Sequence, residues 1–113
     1  MAYEFVRGAI EEIRPGASFR ELGERLARRM PEEYHPQRYP FIAHGSGLAD
    51  EWPAIKFDDH HDGEVQAGMS LSVEAYVGPV GGHHGVKLEE QIIVTDGAAE
   101  IISRASHDQR LLA

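Results

Sequence analysis

Leu71-Ser72-Val73-Glu74-Ala75-Tyr76-Val77 decides the fold class. Leu71, Val73, Ala75 and Val77 alternate with Ser72, Glu74 and Tyr76, the period-two pattern of a strand with one face on a core. Working outward, Pro79-Val80-Gly81-Gly82 reads as a turn. Val86–Thr95 reads as a second strand, with Val86 and Leu88 on one face and Lys87 and Glu89 on the other. Asp96-Gly97 is a hairpin signal, and Glu100–Ser103 reads as a third strand. The C-terminal third is therefore expected to be an antiparallel meander.

Upstream the periodicity changes. Tyr3, Val6, Ile10 and Ile13 recur at helical spacing, with Phe5 and Ala9 beside them. Arg14-Pro15-Gly16 stops that helix. Ser18 opens another as N-cap, with Glu21 at the capping-box position. Phe19, Leu22, Leu26 and Met30 form its buried stripe, and the Arg and Glu residues between them form a solvated face. Glu32–Gln37 reads as an extended connection. Tyr39–Ala43 reads as a strand running into His44-Gly45-Ser46-Gly47. Residues 49–68 read as a long polar loop containing Asp58-Asp59-His60-His61-Asp62. The expected architecture is α+β, two N-terminal helices packed on a curved antiparallel sheet, in one domain spanning residues 1–113.

Composition narrows the function. In 113 residues, 19 Asp and Glu outweigh 11 Lys and Arg, for a net charge of −8. That balance argues against nucleic acid or an anionic membrane as partner. No apolar run approaches the ~20 residues that span a bilayer. The N-terminus has no secretory pattern, and a cytoplasmic setting is expected. There is no cysteine, so a thiolate metal site and a Cys nucleophile are excluded.

Glu74 and Glu89 are the informative polar residues. Each sits inside a strand, where a carboxylate is unfavourable without a partner. On antiparallel neighbours they can share a face. With His44 from the glycine-rich turn they would offer an O/O/N set for a divalent metal. The alternative is two glutamates on the wet face of a sheet. The pair His60-His61 is read as surface loop rather than as a metal site, and His83-His84 as turn residues.

Four ordered motifs carry a resemblance. They are His44-Gly45-Ser46-Gly47-Leu48, Gly68-Met69-Ser70-Leu71-Ser72-Val73-Glu74, Gly85-Val86-Lys87-Leu88-Glu89-Glu90 and Ile93-Val94-Thr95-Asp96-Gly97. From about residue 2 to about residue 103 the chain resembles the C-terminal half of the pita-bread metallopeptidases, the creatinase, prolidase and aminopeptidase P relatives. The resemblance implies half of a pita-bread fold. It also implies a dinuclear site of two Asp, one His and two Glu, holding divalent Fe, Mn, Zn or Co. His44, Glu74 and Glu89 match three of those ligands. The two Asp ligands, upstream of the first helix in the family, have no counterpart here.

Two departures shift the reading within the family. Glu51 stands where the peptidases usually carry a second His, and Glu74-Ala75-Tyr76 replaces Glu-Pro-Gly. Asp50-Glu51-Trp52-Pro53, Val73-Glu74-Ala75-Tyr76-Val77-Gly78 and Gly85-Val86-Lys87-Leu88-Glu89 look more like the dimethylsulfoniopropionate lyase branch. That resemblance implies Tyr39 as the base, five residues before the ligand His. A sulfonium substrate suits an aromatic face, for which Trp52 and Tyr76 are the candidates. With two carboxylates missing, at most one loosely held ion and little activity are expected of this chain alone. The expected partners are a small-molecule substrate and either a second copy or a missing N-terminal half, the latter two also covering a non-catalytic role.

Overall fold

The computed structural model describes residues 1–49 and 51–112, apart from the side chain of Leu111. Helix α1 spans Ala2–Glu12 and helix α2 Phe19–Ala27. Five strands follow: β1 Phe41–Gly45, β2 Ala54–Lys56, β3 Ser70–Val77, β4 Val86–Ile93 and β5 Glu100–Ile101. They form one antiparallel sheet in the order β2-β1-β3-β4-β5.

Both helical stripes are buried as their spacing predicts. Val6, Ile10 and Ile13 of the first stripe, and all four residues of the second, enter the core. Ile13 ends α1 in an extended conformation, just before Pro15 and Gly16 turn the chain. Ser18 then caps α2, its hydroxyl accepting from the Glu21 amide at 3.3 Å. Helix α1 lies over β3 and β4, and α2 lies over β2. Leu71, Val73, Ala75, Leu88, Ile92 and Val94 meet them from the sheet. The charged side of α2 is not wholly given to solvent: Arg25 and Arg29 both pair with Glu12 of α1.

The structure corrects four readings. Glu32–Gln37 is a 3-10 helix, not an extended connection. Pro31 starts it, because a helix start needs no amide from proline, and the Tyr34 amide bonds to the Pro31 carbonyl at 3.0 Å. The second correction concerns the loop at 49–68, which contains the edge strand β2, with Ala43 opposite Ile55 and His44 opposite Ala54. Three residues are too short a run to show alternation, yet Ile55 and Phe57 are buried. The third is β1, which begins two residues later than Tyr39 and carries His44 and Gly45 within the strand. Gly45 sits so close to the neighbouring chain that a Cβ there would collide with the Trp52 carbonyl, and its amide bonds to the Pro53 carbonyl at 2.7 Å. The fourth is the end of the meander. Strand β4 ends at Ile93 and β5 is only two residues long, joined by a turn in which Gly97 N donates to Thr95 Oγ1 at 3.1 Å.

Candidate metal centre

The register of β3 and β4 builds the site. Side chains alternate between the two faces of a strand, and paired residues share one. Tyr76 is opposite Lys87, Glu74 opposite Glu89, and Ser72 opposite Gln91. On the other side, His44 of β1 is opposite Ser72. One face of the sheet therefore holds His44, Ser72, Glu74, Tyr76, Lys87, Glu89 and Gln91, while the other packs on the helices. The period-two pattern placed Ser72 and Glu74 on a wet face. Instead both are buried, Glu74 completely.

His44, Glu74 and Glu89 each present a ligand atom within 4.8 Å of the others. His44 Nδ1 lies 3.1 Å from the Gly45 carbonyl. A carbonyl only accepts, so this nitrogen carries a proton, and Nε2 is the ring atom turned to the carboxylates. Nε2 is 3.4 Å from Glu74 Oε1. Neither oxygen of the buried Glu74 carboxylate has a hydrogen-bond donor. The Lys87 ammonium lies 2.6 Å from Oε2 as an ion-pair partner, without meeting hydrogen-bond geometry. A buried carboxylate short of donors, an imidazole nitrogen and a second carboxylate fit a divalent cation.

Lys87 is the site residue that sequence reasoning missed. It also lies 3.4 Å from Glu89 Oε2, and it is 48% exposed. Its short contact with Glu74 is the main cause that holds the ammonium above its ordinary pKa, against the opposing effect of burial. Lys87 and Glu89 are two residues apart on one strand, so the alternation that placed Glu89 carried the signal for Lys87 as well. Beside the carboxylates, Gln91 Nε2 donates to Ser46 Oγ at 2.9 Å and to Ser70 Oγ at 3.3 Å.

Of the three other predicted site residues, Tyr39 and Tyr76 stand by this group. The Tyr39 ring is 5.5 Å from Lys87 Nζ and 5.6 Å from the Phe41 ring, which in turn meets His44 edge-on. Tyr76 shares the face of Glu74 and covers Gly85, where a Cβ would press on its hydroxyl. Trp52 is not in the carboxylate cluster. It stacks on His61 at 4.5 Å, beside a cleft of about 300 Å³ that includes Phe41 and Lys56. His61 also meets Phe19, so the His pair is packed rather than a free surface loop. Burial, then the Lys56 charge, lower the pKa of His61. Asp50, which belongs to the lyase-like motif, lies outside the described residues.

Comparison with known proteins gives the family and the fold. Residues 1–96 match the model of metallopeptidase family M24. The chain is 36% identical over 116 residues to the dimethylsulfoniopropionate lyase DddP of Roseovarius nubinhibens, covering 98% of this chain and 26% of that protein. For the DddP of Roseobacter denitrificans the identity is 32% over 114 residues, covering 96% and 25%. The chain thus spans about a quarter of the length of the curated relatives it matches. Prolidase from Pyrococcus furiosus superposes with a TM-score of 0.78 at 25% identity, over 94% of this chain and 31% of that one. X-Pro aminopeptidase from Thermotoga maritima also gives 0.78, at 22% identity, over 95% and 30%; at that identity the likeness speaks for the fold alone. The α+β fold is that of the pita-bread proteins, and with most of its length matched by the family model, the chain belongs to metallopeptidase family M24.

Proposed function

We propose that residues 1–113 form the C-terminal half of an M24 catalytic domain, and that His44, Glu74 and Glu89 hold a divalent ion on its sheet. The observation that carries this reading is the convergence of the fully buried Glu74 carboxylate, His44 and Glu89, each with a ligand atom within 4.8 Å of the others. The reaction class favoured is the β-elimination of a small sulfonium carboxylate, by similarity to the DddP relatives. A bound divalent ion would supply a Lewis acid for the negative charge that develops on the substrate carboxylate. Tyr39 is proposed to take the proton α to that carboxylate. The electron pair of the broken C–H bond forms the Cα–Cβ double bond, and the Cβ–S pair leaves with sulfur. The products are dimethyl sulfide, acrylate and a proton. Trp52 and Tyr76 are proposed to offer aromatic faces to the sulfonium.

Xaa-Pro hydrolysis is the neighbouring activity on the same fold. Supplying the Mn²⁺-loaded chain with dimethylsulfoniopropionate and, separately, with an Xaa-Pro dipeptide separates the two. Dimethyl sulfide in the headspace, even at low yield, supports the elimination. Proline release without dimethyl sulfide overturns it. With three protein ligands in place of five, the rate is expected to be small.

A second reading is that this chain works by assembly, as a non-catalytic half that pairs with a second copy or with a separate N-terminal half. Leu48 is fully exposed and Trp52 is 59% exposed, both in the segment that follows β1, and exposed apolar surface favours association. Light scattering that finds a stable monomer removes the homodimer.

A further inference from the structure

Among the described residues, Lys87 is the lysine or arginine that pairs with both site carboxylates. Its ammonium is 2.6 Å from Glu74 and 3.4 Å from Glu89, so it touches both carboxylates that face each other across β3 and β4. Like charges directly opposite on neighbouring strands destabilise the pair, and a buried carboxylate without a counter-charge is costly. The ammonium answers both problems at once. Yet it occupies the ground where a divalent ion would meet the same oxygens, and two cations repel strongly at such a distance.

We propose that Lys87 is an internal counter-cation: it holds the two glutamates together in the metal-free chain, and metal loads by exchange with its ammonium. The inference rests on the metal-site reading given above. The side chain is suited to such an exchange. Its four-carbon stem is flexible, it is 48% exposed, and the Tyr39 ring 5.5 Å from Nζ gives the displaced ammonium an aromatic face to rest against. In this account Lys87 opposes metal affinity and supports the fold of the metal-free protein. A lysine that merely braced the two glutamates in ligand geometry would do the opposite, and its loss would weaken metal binding.

The test is calorimetric titration of Mn²⁺ into the 113-residue chain and its K87M, K87Q and K87R variants, with melting temperatures taken in chelator and in Mn²⁺. The expected result is that K87M and K87Q bind about tenfold more tightly or better, since one opposing charge is gone. K87R, which keeps the charge, is expected to stay close to the unaltered chain. K87M and K87Q should melt lower in chelator and gain more from Mn²⁺. K87Q keeps a polar side chain beside Glu74 and serves if K87M does not fold. Equal affinity in all four proteins, or weaker binding in K87M and K87Q, overturns the proposal while leaving the metal site standing. No binding by any of the four overturns both.

Discussion

Glu74 and Glu89 stand directly opposite each other across β3 and β4, one fully buried and the other partly open to solvent. Such a pair lowers stability unless it is there to hold something positive. Glu74→Gln keeps the shape, removes one of the opposed charges and lets Lys87 turn to water. E74Q also removes the partner of the half-exposed Lys87, so in chelator urea denaturation should place it within about 1 kcal/mol of the unaltered chain. A loss of about 3 kcal/mol or more would mean that Glu74 is placed for the fold and not for a cation.

The position of His44 depends on a glycine. A Cβ on Gly45 would run into the Trp52 carbonyl, which is backbone and cannot swing aside. Gly45→Ala should therefore cost about 1–3 kcal/mol, read as a lower urea midpoint with an unchanged slope. Because β1 must shift away from β2 to relieve the clash, His44 should move with it. Mn²⁺ affinity should fall as well. A G45A protein with unaltered stability would show that the β1–β2 approach is looser than described.

Trp52, the only tryptophan, reports on His61 stacked against it. A protonated imidazole quenches indole emission by accepting an electron from it. Burial and Lys56 hold the His61 pKa below 6.5. Emission should thus drop as pH falls, with a midpoint below 6.5, and H61F should abolish the drop. The sign for stability follows from the same shift. The unfolded chain binds this proton more readily, so the contribution of neutral His61 is complete above pH 6.5 and is lost as pH falls through the lower folded value. A midpoint above 6.5 would contradict the packed environment described for His61.

The legible parts of the molecule were those that a single period decides. Val6, Ile10 and Ile13, then Phe19, Leu22, Leu26 and Met30, could only be core stripes, and they are. Leu71 to Val77 could only be a strand, and its partner at Val86 followed. The metal candidates were named from the same period, since Glu74 and Glu89 fall on the polar side of two paired strands and His44 precedes Gly45 and Gly47. What could not be read was set by contacts distant in sequence. Strand β2 is three residues long and exists because β1 pairs with it. Glu74 is buried by neighbours from β1 and β4, which its own strand does not announce. Lys87 looked like a surface lysine until the register brought it between two carboxylates. The stacking of Trp52 on His61 is another contact that the sequence around either residue does not announce.

The central claim is that His44, Glu74 and Glu89 form one divalent metal site on this chain. Calorimetric titration of Mn²⁺ into the 113-residue protein and its H44A and E89A variants tests it most directly. The account predicts one weakly held ion per chain, lost in both variants. Two tightly bound ions per chain, or binding that survives in H44A and E89A, would contradict it.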